Sequence, residues 1–293
     1  MLKKILLIAV AATTSFAVNA KEITKERSIY RNVVIVEEGD VRCMRFETRR
    51  RQITNQACMD LKNKDRLVFE YAHGALAAYA IQPKPKRILV LGLGGGTLSN
   101  VLHEMSPEAE IVNVDIDPVV VKLARQYFDY KEDDRVRTEI KDGRVFIKRA
   151  ILKKEKYDWI ILDAFNGDYI PEHLMTKEFL AETKSLLSEG GVLSANTFSN
   201  SLLYDYESAT YQNVFGKLHI FKAPTKGNRV VFGCNCEFEE FPKFDQSLAD
   251  KVKKYGVDLE KVWGRISDRV DWNPKSEVLT DQYSPANLLK QDN

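Results

Sequence analysis

Between residues 87 and 196 the chain alternates short strand-like runs with segments of helical spacing, and few folds accept that rhythm. Strand-like runs at 88–91, 111–114, 136–140, 159–162 and 192–196 are separated by a glycine turn with a helix through 105, then by helices over 118–130, 143–152 and 176–187. A sheet fed this way is mostly parallel and covered by helices on both faces. Its crossovers are right-handed, so a ligand is expected beyond the carboxyl ends of the strands, where the strand order reverses. The expected class is therefore α/β with a doubly wound sheet.

The flanks read differently. Residues 29–61 are β-rich and alternating, with polar breaks at Glu38-Gly39-Asp40 and at 49–51. They predict a small antiparallel β-hairpin domain over 21–64. Apolar residues at helical spacing predict a helix over 67–81, which Pro83 and Pro85 stop. A helix over 204–215, strand-like runs at 218–222 and 229–236, and a helical stretch around 245–255 complete a second domain over 65–293.

The first twenty residues stand apart. Lys3 and Lys4 precede an apolar run over 5–18, and Val18-Asn19-Ala20 carries small residues where a signal peptidase reads. The run is too short to span a bilayer. It predicts a signal peptide over 1–20 and an exported, periplasmic or secreted chain with no membrane span. Cleavage removes two lysines and no acid, leaving 42 basic residues against 42 acidic ones. That balance gives no footprint for nucleic acid. Export also favours a disulfide between Cys43 and Cys58, which a hairpin turning near residues 50–51 sets opposite each other. Cys234 and Cys236 share one face of a strand, and the sequence leaves their redox state open. The four histidines at 73, 103, 173 and 219 are scattered, and no metal site is expected.

The chemistry gathers at strand ends. Gly92-Leu93-Gly94-Gly95-Gly96-Thr97 follows the first strand of the alternating region and opens a helix, as a turn does when its backbone must approach a ligand closely. The second strand ends in Asp115-Ile116-Asp117-Pro118. Asp115 is placed to accept hydrogen bonds from ribose hydroxyls, and Asp117 to cap the helix that Pro118 begins. The third strand is followed by Asp142-Gly143, where the carboxylate either holds an adenine amino group or caps the next helix. The fourth ends in Asp163-Ala164-Phe165-Asn166-Gly167-Asp168. Four consecutive strand ends bearing a glycine turn or an acid point to a nucleoside pocket.

These motifs resemble the polyamine aminopropyltransferase (spermidine synthase) family, in particular its bacterial synthase-like branch, over nearly the whole chain after residue 20. Ser28-Ile29-Tyr30 and the β-rich start resemble its N-terminal hairpin domain, and 87–196 its core. The resemblance implies a class I methyltransferase-like, Rossmann-like fold. It implies Gly92, Gly94, Gly95, Gly96, Asp115, Asp142 and Gly143 as nucleoside ligands and Asp163 as the group that deprotonates an amine acceptor. Tyr30, Glu70, Tyr71 and Asp168 would line the acceptor side. Decarboxylated S-adenosylmethionine, or S-adenosylmethionine, would be a co-substrate rather than a resident cofactor. The implied partners are an amine or polyamine, a nucleoside and a second copy of the chain.

Two positions depart from the family. Its members typically carry an aspartate in the glycine loop and a second one three residues after the first in the fourth-strand motif; here these are Gly95 and Asn166. Both changes remove negative charge where an aminopropyl donor and a diamine need it. Methyl transfer from S-adenosylmethionine on the same fold, and ligand binding without chemistry in an exported protein, are the alternative readings.

Overall fold

A computed structural model describes residues 20–47, 53–167, 169–225 and 227–285. The predicted signal peptide, except Ala20, and the basic cluster at 49–51 lie outside them. The alternating N-terminal segment forms an antiparallel meander of β1 (Lys21–Arg27), β2 (Asn32–Glu38), β3 (Val41–Glu47) and β4 (Ile53–Asp60). Period-two alternation sends Val33, Ile35, Met44, Phe46, Ala57 and Met59 to one face, where they pack on Val120, Leu123 and Phe128. The opposite face holds Val34, Val36, Cys43 and Cys58. Register sets Cys43 directly across from Cys58, and a disulfide joins them.

The second sheet has eight strands. Its parallel part is β5 (Arg87–Leu91), β6 (Glu110–Asp115), β7 (Val136–Ile140), β8 (Tyr157–Leu162) and β9 (Leu187–Phe198). An antiparallel edge is added by β10 (His219–Lys222), β11 (Asn228–Cys234) and the short β12 (Ile266–Ser267). The order is β12-β10-β11-β9-β8-β5-β6-β7, so the chain reverses direction between β5 and β8. That reversal opens the crevice in which such sheets bind ligands.

Continuous apolar strands need cover on both faces, and the helices divide accordingly. One face buries Ile88, Val90, Ile111, Trp159 and Ile161 beneath α2 (Thr97–Met105), α3 (Pro118–Tyr127), α7 (Gln246–Val252) and α8 (Leu259–Trp263). The other buries Leu89, Leu91, Val112, Val114 and Ile160 beneath α4 (Gly143–Leu152), α5 (Lys177–Ser185) and α6 (Tyr204–Phe215). Among the described residues no helix is long and apolar enough to cross a membrane.

Three local features differ from the sequence reading. The predicted helix over 67–81 is shorter and divided, with α1 (Glu70–Ala75) passing into a 3-10 turn (Leu76–Ala80). It presses on β10, so that a Cβ at Gly74 would lie 2.1 Å from the Phe221 ring. Gly190 and Gly191, ahead of the strand expected at 192–196, lie inside β9. Gly190 takes φ +72°, and the register against β8 shifts between the Tyr157 and Trp159 pairings. A glycine in the left-handed region lets the strand absorb extra residues as a bulge. Cys234 and Cys236, left open by the sequence, form a second disulfide.

Candidate active site

At the reversal point a cleft of about 1690 Å³ opens between the N-terminal meander and the carboxyl ends of the parallel strands. Its floor is the turn after β5. Gly92 has φ +96°, and a Cβ there would lie 2.2 Å from the carbonyl oxygen of Asp163, so only glycine lets β5 and β8 end side by side. Gly92, Gly94 and Gly95 line the cleft. Gly96 faces away from it, where a Cβ would sit 2.4 Å from the Tyr130 ring. A Cβ at Gly95 would lie 3.0 Å from Ala57 and 3.0 Å from the Phe128 ring. A side chain at position 95 therefore meets an already filled space.

The acids of the second and third strand ends both face the cleft. One Asp115 oxygen accepts from the Leu93 amide and the other from the Asp117 amide, each at 2.9 Å. A carboxylate has about four lone-pair sites, so the ring this forms still has capacity for ligand hydroxyls. Burial raises the Asp115 carboxyl above its ordinary range, against those backbone amides, with the Asp117 charge adding to burial. Asp117 caps α3 by accepting from the Val119 amide at 2.9 Å. Asp142 takes the capping role that its sequence context offered, and its second oxygen is engaged by a histidine. Oδ1 caps α4 through the Val145 amide at 2.9 Å, while Oδ2 meets His173 Nε2 at 3.1 Å on the cleft wall.

Asp163 has a different setting. Oδ2 accepts from the Tyr71 hydroxyl at 2.7 Å, and Oδ1 accepts from Asn196 Nδ2 at 2.8 Å. Asn196 is fixed in turn by Asn228 Nδ2 at 3.0 Å. Burial lifts the Asp163 carboxyl to about 7; the two hydrogen bonds oppose that rise and the Asp115 charge adds to it. A carboxylate so poised exchanges a proton near neutral pH. Deeper along the wall, Glu207 pairs with the fully buried Arg229 at 3.2 Å, and Arg229 also donates to Thr197 and Ser208. Burial raises the Glu207 carboxyl, and Arg229 opposes it.

The remaining sequence candidates are placed as follows. Tyr30 is 43% exposed on the turn between β1 and β2 and lines the cleft. Tyr71 is in contact with Asp163, as described, and stacks on Phe69 at 5.7 Å. Glu70 lines the cleft but is engaged elsewhere, accepting from the Thr225 amide at 3.1 Å and its hydroxyl at 2.6 Å. Gly143 lines the cleft, and Asp168 lies outside the described residues. The structure adds Asn196, Asn228, Glu207 and Arg31, which sequence reasoning missed. The available signal for Asn196 was an amide closing the otherwise small and apolar run at 192–196. Arg31 donates to Asn166 Oδ1.

The cleft thus sets Asp115 and Asp142 in one wall with Asp163, a carboxyl poised near neutrality. A family model described as the spermine/spermidine synthase domain matches residues 72–226. A polyamine aminopropyltransferase of Vibrio vulnificus (strain CMCP6) is 44% identical over 295 residues, covering 98% of each chain. A crystal structure of a probable spermidine synthase from Corynebacterium glutamicum ATCC 13032 superposes with a TM-score of 0.64 at 22% identity, over 87% of this chain and 98% of that one. Human methyltransferase-like protein 13, in complex with SAH, superposes with a TM-score of 0.53 at 24% identity, over 74% and 96% of the two chains. At these identities the two structures show the shared fold.

Proposed function

The chain belongs to the spermine/spermidine synthase family, and from that membership we propose that it transfers an aminopropyl group from decarboxylated S-adenosylmethionine to an amine held in the cleft. The observation that carries this reading is Asp163, a half-buried carboxylate poised near neutrality and aimed by Tyr71 and Asn196. Asp115 accepts from the ribose hydroxyls and Asp142 from the adenine amino group. The acceptor enters as an ammonium, and ionised Asp163 takes one proton from it, freeing the nitrogen lone pair. That nitrogen attacks the carbon beside the sulfonium. A C–N bond forms, the C–S bond breaks with its electron pair left on sulfur, and a neutral thioether nucleoside departs. The sulfonium is already a good leaving group, so positioning and the proton transfer are what the protein supplies.

One observation favours a second reading. With Gly95 the glycine loop carries no acid to hold an aminopropyl ammonium, and methyl transfer needs none. Mass analysis of the alkylated amine after incubation with each sulfonium nucleoside separates the two. A product gaining an aminopropyl group supports the proposal, and one gaining a methyl group from S-adenosylmethionine replaces it. Export belongs to this proposal as well. N-terminal sequencing of the protein recovered from cells is expected to start at Lys21, and an intact Met1 start in the cytoplasmic fraction would contradict it.

A further inference from the structure

Arg31 is placed with care for a residue outside the strand-end motifs. Its amide donates to Ser28 Oγ at 3.1 Å, and its carbonyl accepts from the Ser28 amide at 2.8 Å, which fixes the turn entering β2. The guanidinium lies 4.4 Å over the Phe46 ring, donates to the Asn166 amide oxygen, and lines the cleft with Asp115 and Asp163. Among the described residues no carboxylate is in ion-pair contact with it. Burial lowers its pKa, with Asp117, Tyr169 and Asp115 opposing that effect through longer-range attraction.

These features describe a receptor for an anion rather than for an ammonium. A guanidinium stacked on an aromatic face is held flat and loses little freedom when it binds a carboxylate through two parallel N–H bonds. An ammonium in the same place would be repelled by it. Beside it Asn166 is neutral and Gly95 carries no charge, while Asp115 and Asp117 act on it only at longer range and Asp168 lies outside the described residues.

We propose that Arg31 determines specificity by binding a carboxylate, so that one of the two reactants in this cleft is an α-amino acid rather than a simple amine. The inference rests on the cleft being a transferase site for a sulfonium nucleoside and an amine. With the decarboxylated donor proposed above the carboxylate belongs to the acceptor; it belongs to the donor's amino-acid arm only where methyl transfer replaces that reaction.

The test compares two matched pairs that differ only by that carboxylate. The donor pair is S-adenosylmethionine and its decarboxylated form; the acceptor pair is 2,5-diaminopentanoate and 1,4-diaminobutane. Calorimetric binding and nucleoside release are measured on the wild-type protein, on Arg31→Gln and on Arg31→Lys, with the unfolding midpoint as a control for folding. In one pair the wild type is expected to prefer the carboxylated member about tenfold or more, the scale of a charge-assisted hydrogen-bond pair. Arg31→Gln is expected to abolish that preference, and Arg31→Lys to retain part of it. The pair that responds identifies the source. Preference for the decarboxylated member in both pairs, or an equal loss on both members in Arg31→Gln, overturns the proposal. Carboxylate discrimination in binding with no nucleoside release would sustain it while removing the transferase reading; release without discrimination would do the reverse.

Discussion

At the scale of single residues, two environments decide what the cleft can do. Asp163 is raised to about 7 because burial outweighs the hydrogen bonds from Asn196 and Tyr71. If ionised Asp163 takes the acceptor's proton, kcat/KM climbs with pH up to about 7 and then levels on this limb. Removing a donor that stabilises the charged form moves that limb upward, so Asn196→Ala is expected to shift the apparent pKa to higher pH in a kcat/KM profile. A shift downward would show that Asn196 does not support the carboxylate. The same displacement has a sign for stability. The folded state binds the proton more tightly than the unfolded chain, whose carboxyl titrates near 4. This contribution is complete below about pH 4 and is lost as pH rises through about 7. The second environment is Gly95. A Cβ there meets Ala57 and Phe128 at 3.0 Å each, so Gly95→Asp is expected to lower stability by about 1–3 kcal/mol through overpacking. An unchanged unfolding midpoint in that variant would show that the loop accepts an acid without cost.

At the scale of elements, the outer face of the meander holds the smallest of the buried apolar clusters among the described residues. That face buries only Val34, Val36, Cys43 and Cys58, with Val41, Val68 and Phe69 partly covering them. The Cys43–Cys58 bridge spans a separation of 15 residues, and closing a loop of that length stabilises by roughly 3 kcal/mol on the chain-entropy estimate. Replacing both cysteines by alanine is expected to lower the unfolding free energy by that amount, read from denaturant unfolding as a lower midpoint. Equal midpoints for the two proteins would mean that packing alone holds the hairpin. The alternation at 32–46 and the polar break near residue 50 made this hairpin legible before the structure, because strand period and turn chemistry are local properties. The bulge at Gly190 was not legible. Two adjacent glycines carry no strand signal, and Asn235, just beyond the end of β11, bonds to both Gly190 and Gly191 across the bulge.

At the scale of the whole molecule, the order of the sheet explains which site residues a sequence can reveal. Asp115, Asp142 and Asp163 follow strands that each announce themselves, so their convergence at the reversal point follows from the alternation alone. Asn228 and Glu207 reach the cleft only because β11 inserts antiparallel beside β9 and α6 packs against it, and Arg31 only because the meander folds over the strand ends. No local pattern carries those placements. On the proposed function, the nucleoside lies along the ends of the parallel strands and the proton transfer takes place where β8 meets β9 and α1. The most direct test of that account is the rate of thioether-nucleoside release by Asp163→Asn at pH 8, measured beside nucleoside affinity. The account predicts a fall of about 10²–10⁴-fold with affinity retained, the range a positioned proton acceptor contributes. Turnover within a few-fold of the wild type would contradict it.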